Sequence, residues 1–211
     1  MVTTEHSAEQ QPIPEQGDPL PVASGRGPWV WVLVAALAGI GFTTVQIMEK
    51  IDILAHPGTT LFCDVSSTVS CTQVLNAWQS SVLGPPNSLI GAIMFAVLAS
   101  AGLAGLLASR LSRAYLVTVW GLAVFFLCFA SWFMYETAFS IGSLCVWCTG
   151  IVTAVVVICA ALTRAADRAH AFGDTGFGYV VATVVRSRLD LAVWAVWWLA
   201  VAALLWVGLY A

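Results

Sequence analysis

The residues of this chain most capable of chemistry are cysteines. Two stand three apart in "CVWC", Cys145 and Cys148, and two more, Cys63 and Cys71, bound the string "CDVSSTVSC". Thiols at such spacing close a redox disulfide, ligate a metal ion or pack among apolar neighbours. The choice depends on the elements that carry the sulfurs and the compartment they face.

Those elements are membrane helices. Apolar residues make up 60% of the chain and charged residues 9%, with ten tryptophans, whereas about a quarter of a soluble domain is charged. No nucleic-acid partner is expected from such a composition; membrane lipid is. Five charge-free apolar stretches reach the roughly 20 residues that a helix needs to cross a bilayer: residues 29–48, 88–109, 114–135, 144–163 and 191–211. The expected fold is an all-α integral membrane protein with five transmembrane helices, the first four forming a four-helix bundle core. The expected organisation is a disordered tail over 1–28, a redox core over 29–163 that includes an outer loop at 49–87, a linker over 164–190, and the fifth span. The tail is rich in Pro, Gln, Glu and Gly and has too little apolar surface to offset the cost of ordering. It lacks a signal-peptide pattern, so the first span is expected to be retained.

Basic residues mark the side of the membrane that keeps them, the cytoplasmic one. Arg26, Arg110, Arg113, Arg164, Arg168, Arg186 and Arg188 all flank spans on one side, and Lys50 alone falls on the other. This parity places the N-terminus in the cytoplasm, and the 49–87 loop and the 136–143 turn on the exterior or periplasmic face of a plasma (inner) membrane. Cys63, Cys71, Cys145 and Cys148 then all face the compartment where disulfides persist. Cys159 lies 14 residues beyond Cys145, about 21 Å deeper at 1.5 Å per residue, and with Cys128 reads as apolar packing.

Local physics separates the four outer sulfurs. Cys145 is expected in the first turn of the fourth span, where free amides and the positive helix end favour a thiolate, as the more exposed and exchange-competent sulfur. Cys148 sits one turn further in, within reach of Cys145 and of something dissolved in the bilayer. Ser70 and Gln73 have capping-box spacing and should start a short helix with Cys71 in its first turn. Cys71, Val74, Leu75 and Trp78 would form an apolar stripe on the membrane above the fourth span. Asp64 reads as a solvated loop charge and His56 as a loop residue. Trp29, Trp31, Trp194, Trp197 and Trp198 read as interfacial anchors.

Other classes stay open on these residues alone. Zinc would use the same four cysteines, although no histidine or paired carboxylate accompanies them. A non-catalytic membrane subunit or a transporter would use its cysteines only as braces, but transport of charged solutes leaves ionisable residues within spans, and the five apolar stretches contain none.

The strings "CDVSSTVSC", "PNSLIG" at the start of the second span and "CVWC" at the start of the fourth, in this order, resemble the vitamin K epoxide reductase family in its bacterial, quinone-coupled, disulfide-forming form. The resemblance covers roughly 29–163. It implies a quinone of the menaquinone or ubiquinone type docked beside Cys148, with Asn87, next to Ser88, hydrogen-bonded to a quinone oxygen. It also implies exchange between Cys145 and Cys71, with Cys63 completing the loop pair. Vertebrate members carry a tyrosine four residues after the second cysteine of CVWC; here that position is Val152, so the resemblance implies a plain quinone as substrate. The second and fourth spans both begin on the outer face, so their positive ends can converge on Asn87 and Cys148. The expected activity is that of a quinone-dependent thiol–disulfide oxidoreductase. It takes electrons from a thioredoxin-fold thiol oxidase and passes them through Cys63/Cys71 and Cys145/Cys148 to the quinone. The chain as given ends at the fifth span, so that partner is expected in trans.

Overall fold

The computed structural model describes residues 20–21, 25–108, 110–173 and 176–210. Each expected span is a helix. Helix α1 runs Gly27–Ala55, α3 Asn87–Leu107, α4 Arg113–Glu136, α5 Val146–Arg168 and α7 Leu189–Tyr210. Two shorter helices stand between them, α2 (Cys71–Asn76) before α3 and α6 (Phe177–Arg186) before α7. All five long helices are apolar and long enough to cross a membrane, and the chain is an all-α integral membrane protein. Part of the 1–28 stretch lies outside the described residues. Within the rest, Leu20–Pro21 pairs antiparallel with Arg110–Leu111, and Gly27 and Pro28 already belong to α1.

Helix α1 is the axis of the bundle, packed against both α3 and α5, with α4 closing the ring against α5. Small residues let the backbones approach, as is usual where lipid gives helices no hydrophobic reason to associate. A Cβ added to Gly102 of α3 would stand 2.9 Å from the Leu33 backbone nitrogen, and one added to Gly105 would enter the Trp29 ring. Trp29 is therefore a core residue rather than the expected interfacial anchor, while Trp31 is exposed. Helix α7 lies outside this ring, burying only Asp190 and Leu205.

Two boundaries differ from the sequence reading, for physical reasons. Helix α1 continues past Met48 to Ala55. At 1.5 Å per residue its 29 residues span about 43 Å, more than the roughly 30 Å hydrocarbon core. The charges of Glu49, Lys50 and Asp52 therefore do not stop the helix but stand on its final turns. Helix α7 begins at Leu189, so the buried Asp190 belongs to it and pairs with Arg164 of α5. The long helices are thus not free of ionisable side chains.

The 164–190 segment is also more structured than a plain linker, carrying the end of α5 and all of α6. Phe172 and Phe177 pack edge-on against each other and around Trp120 of α4. Cys159 is buried, as a packing residue should be, but Cys128 is exposed on the surface of α4.

Candidate functional site

One end of the bundle gathers Cys63, Cys71, Cys145 and Cys148. The 49–87 segment does not float above α5 but is stitched to its N-terminal approach. Leu144 N–H donates to the Thr68 carbonyl at 2.9 Å and Ser70 N–H to the Leu144 carbonyl at 3.1 Å, so Val69 and Leu144 form a parallel bridge. Cys71 and Cys145 each follow directly on residues of this contact. Gly142, left-handed at φ 72°, turns the chain out of α4 toward that stitch.

Helix α2 forms as its cap predicts. Ser70 is the N-cap, its Oγ accepts from Gln73 N–H, and Cys71 is the first helical residue. The reciprocal half of the capping box is replaced, because the Ser70 N–H is committed to Leu144. Cys71, Val74 and Leu75 are buried against the bundle rather than laid on a membrane surface. Trp78, expected in the same stripe, starts a separate 3-10 turn and is exposed.

Asp64 is the largest departure from expectation in this loop. Instead of a solvated charge it is a hub, accepting from Leu61 N–H (2.8 Å), Ser70 Oγ (2.7 Å), Thr72 N–H (3.0 Å) and Thr72 Oγ1 (2.6 Å). Burial raises its pKa, but these four bonds outweigh burial and hold it at about 2. His56 caps the end of α1 and faces Asp52 at 3.0 Å.

The redox states of the two pairs differ. Cys63 and Cys71 are joined in a disulfide with Cα atoms 5.7 Å apart, whereas Cys145 and Cys148 are free thiols. Cys145 is the N-cap of α5 and Cys148 lies one turn in, the spacing that lets both thiols interact. Cys145 is not the more exposed sulfur: it is wholly buried, and Cys148 is 5% exposed. The loop is bonded to the residue before Cys145, and Gln46 of α1 stands against its sulfur. Among the described residues no four-cysteine metal cluster forms. The group whose ligand atoms lie within 4.8 Å is Glu49, Cys63 and Cys71, and the disulfide engages both of its sulfurs.

Helix α1 supplies two side chains that sequence reasoning missed. Gln46, 4% exposed, points its Nε2 at Cys148 Sγ (2.9 Å) and Cys145 Sγ (3.6 Å). Glu49 accepts from Trp147 Nε1–H at 2.9 Å, and the same Oε1 lies 3.5 Å from Cys63 Sγ. The available signal was a glutamine inside an apolar span, since buried polar residues in membrane helices mark function.

Cys148 opens onto a cavity between α1, α3, α4 and α5, roofed by Val74 and Leu75 of α2. Phe126, Phe129 and Phe133 of α4 give it an aromatic wall, and Val152 is part of its lining. Asn87 and Ser88, the first residues of α3, stand at its polar corner. The Asn87 amide donates to the Gln79 carbonyl at 2.7 Å, which turns Oδ1 away from that bond. Asn87 Oδ1 and Ser88 Oγ are buried without a hydrogen-bond partner among the described residues. Such orphans are costly and call for a ligand that satisfies them.

A sulfur pair at a helix start, a second pair tied to its approach, and a cavity among apolar helices long enough to cross a membrane fit a membrane thiol–disulfide oxidoreductase. The model of the vitamin K epoxide reductase family matches residues 30–163, more than half of the chain, and the chain belongs to that family. No curated protein matches the chain.

Proposed function

We propose that the protein is a quinone-dependent oxidase of protein dithiols, in which Cys63/Cys71 and Cys145/Cys148 are the reacting pairs and Asn87, Ser88 and Cys148 bind the quinone. The observation that carries this reading is Cys148 facing an apolar, aromatic-walled cavity whose polar corner holds two orphaned atoms. The donor chemistry fits the group. Asn87 Oδ1 can accept from a hydroxyl and Ser88 Oγ can give to a carbonyl, so quinone and quinol are both accommodated. A quinone bound there would supply a two-electron, two-proton acceptor.

The chain's own residues do the rest. A thioredoxin-fold partner with a reduced dithiol opens the Cys63–Cys71 disulfide, and Cys71 then exchanges with Cys145 across the Val69–Leu144 stitch. Closing Cys145–Cys148 afterwards releases two electrons and two protons at the cavity. Gln46 holds the Cys148 sulfur and stabilises its thiolate by a charge-assisted hydrogen bond. Val152, small and apolar, puts no hydroxyl at its own place in the lining, which favours a plain menaquinone or ubiquinone over an epoxide. The seven-to-one distribution of basic residues supports an orientation with the N-terminus cytoplasmic and the cysteine end on the exterior or periplasmic face. The four-helix core over 29–163, with its 49–87 loop, is read as the catalytic unit, and α6 and α7 as its support.

The test is an ultraviolet-visible titration of purified protein with a short-chain quinone and a dithiol. The wild type should consume the two in equal amounts. Cys148→Ser should abolish quinone reduction while still trapping a Cys71–Cys145 mixed disulfide, and wild-type turnover in that variant would refute the assignment.

A further inference from the structure

The charge at Glu49 is unused by the relay described above, yet it stands where the loop disulfide meets the CVWC turn. Its Oε1 holds Trp147, one of the two residues between Cys145 and Cys148, and contacts Cys63 Sγ at 3.5 Å. Its carboxylate oxygen lies within 4.8 Å of both loop sulfurs. Its Oε2 is buried and has no hydrogen-bond partner among the described residues. A carboxylate with one oxygen tied and the other orphaned, touching a sulfur that must lose a proton, has the geometry of a general base.

We propose that Glu49 is a further catalytic residue, the proton acceptor for Cys63 when the loop pair is reoxidised. This rests on the relay reading. Starting from the Cys63/Cys71 dithiol and the Cys145–Cys148 disulfide, the Cys71 sulfur attacks Cys145 Sγ. The 71–145 bond forms, the 145–148 bond breaks, and the Cys71 proton ends on Cys148. Cys63 then gives its proton to Glu49 and attacks Cys71 Sγ. The 63–71 bond re-forms and Cys145 leaves as a thiolate. Two electrons have moved from the loop pair to the helix pair, and Glu49 carries one proton to be released. The charged and titratable groups around Glu49 are Asp64 and the loop thiols from the 49–87 segment, Cys145 and Cys148 from α5, and Lys50 from α1. Lys50 is turned aside, its Nζ donating to the Leu75 carbonyl at 2.7 Å.

The experiment follows both pairs at once. Fully oxidised protein is mixed with dithiothreitol, quenched in acid at intervals and alkylated, and the labelled cysteines are mapped by mass across pH 5.5 to 9.5. Glu49→Gln keeps a carbonyl for Trp147 and should slow transfer from the loop pair to the helix pair by roughly 100-fold at neutral pH. Its rate should climb toward wild type at high pH, where Cys63 ionises unaided. Glu49→Asp, which retains a carboxylate, should recover part of the rate. A wild-type rate and pH profile in Glu49→Gln, or a loss equal at every pH, overturns the proposal. Cys71→Ser measures direct attack on Cys145–Cys148: if it matches wild type, the relay itself fails and the role of Glu49 with it. If Cys71→Ser is slow and Glu49→Gln is not, only the base is wrong.

Discussion

Arg164 and Asp190 close a two-pronged ion pair at one end of the bundle, while Glu49, Asn87 and Ser88 at the other end bury polar atoms that no described residue satisfies. Both ends bear a desolvation cost, and at the first the buried groups are bonded to one another. At the Arg164 end the neighbouring polar groups are matched too: Trp120 Nε1 donates to Thr163 Oγ1 at 3.0 Å and Arg113 Nε to the Ala171 carbonyl at 2.8 Å. A self-satisfied buried network fixes helix order. On the proposed function, the orphaned atoms beside the cavity and the thiol are groups whose partner arrives during turnover. The difference separates what holds this protein together from what it does.

The sharpest way to break that comparison is to damage the satisfied end. Arg164→Ala leaves the buried Asp190 carboxylate, 2% exposed, without its cation. Removing one partner of a buried pair costs about 3–5 kcal/mol, and the partial exposure of Arg164 puts the expectation near the lower figure. Denaturant or thermal unfolding in detergent should show that loss, chiefly as detachment of α7 from α5. Turnover per folded molecule should be unchanged. A variant of full stability, or one that folds well but loses turnover, would mean that the two ends are not separable in this way.

The next perturbation acts on the functional end and should leave stability alone. Gln46→Leu keeps the volume at the sulfurs but deletes the 2.9 Å bond to Cys148. A hydrogen bond to a charged group is worth about 1.5–3 kcal/mol, so quinone reduction should fall by roughly 10- to 100-fold. The melting temperature should hold. Turnover within twofold of wild type would reduce Gln46 to a space-filling residue.

These two sites also mark how far the sequence could be read. Hydropathy located all five long helices, and the Ser70 cap located α2, because both are signals of local periodicity and local hydrogen bonding. The contacts of Gln46 and Glu49 with the CVWC turn depend on α1 running beside the start of α5, a contact about 100 residues apart in sequence. Ending the first span at Met48, where charge begins, also hid the fact that Glu49 and Lys50 stay helical and turn toward the loop. Cys145 was misjudged for a related reason. A helix start is exposed by default, and the pairing of Val69 with Leu144 and the approach of Gln46 are long-range contacts around the buried Cys145. Asp64 failed as a solvated charge because its four donors come from both sides of the loop that it closes.

Asp64 gives the smallest effect and the finest distinction, since it lies at the functional end but is fully satisfied. If satisfaction rather than location marks a structural role, Asp64 should govern the order of the loop and not the chemistry. Its hydrogen bonds to Leu61, Ser70 and Thr72 lower its pKa to about 2 from an ordinary value of 3.8. A carboxylate whose folded pKa lies below its unfolded one contributes stability that is fully present above about pH 4 and lost as pH falls toward 2. Amide protection of residues 61–76, corrected for intrinsic exchange, should therefore be constant from pH 7 to about pH 4 and decline below it. Asp64→Asn should show lower protection at neutral pH and a flat profile through the same window, because an amide oxygen accepts from fewer donors and does not titrate. Exchange between the two cysteine pairs at neutral pH should change by no more than a few-fold in that variant. Undiminished protection of the wild-type loop at pH 2 would show that the Asp64 hub does not hold it, and a loss of exchange as large as that of Glu49→Gln would move Asp64 from the structural to the chemical side of the comparison.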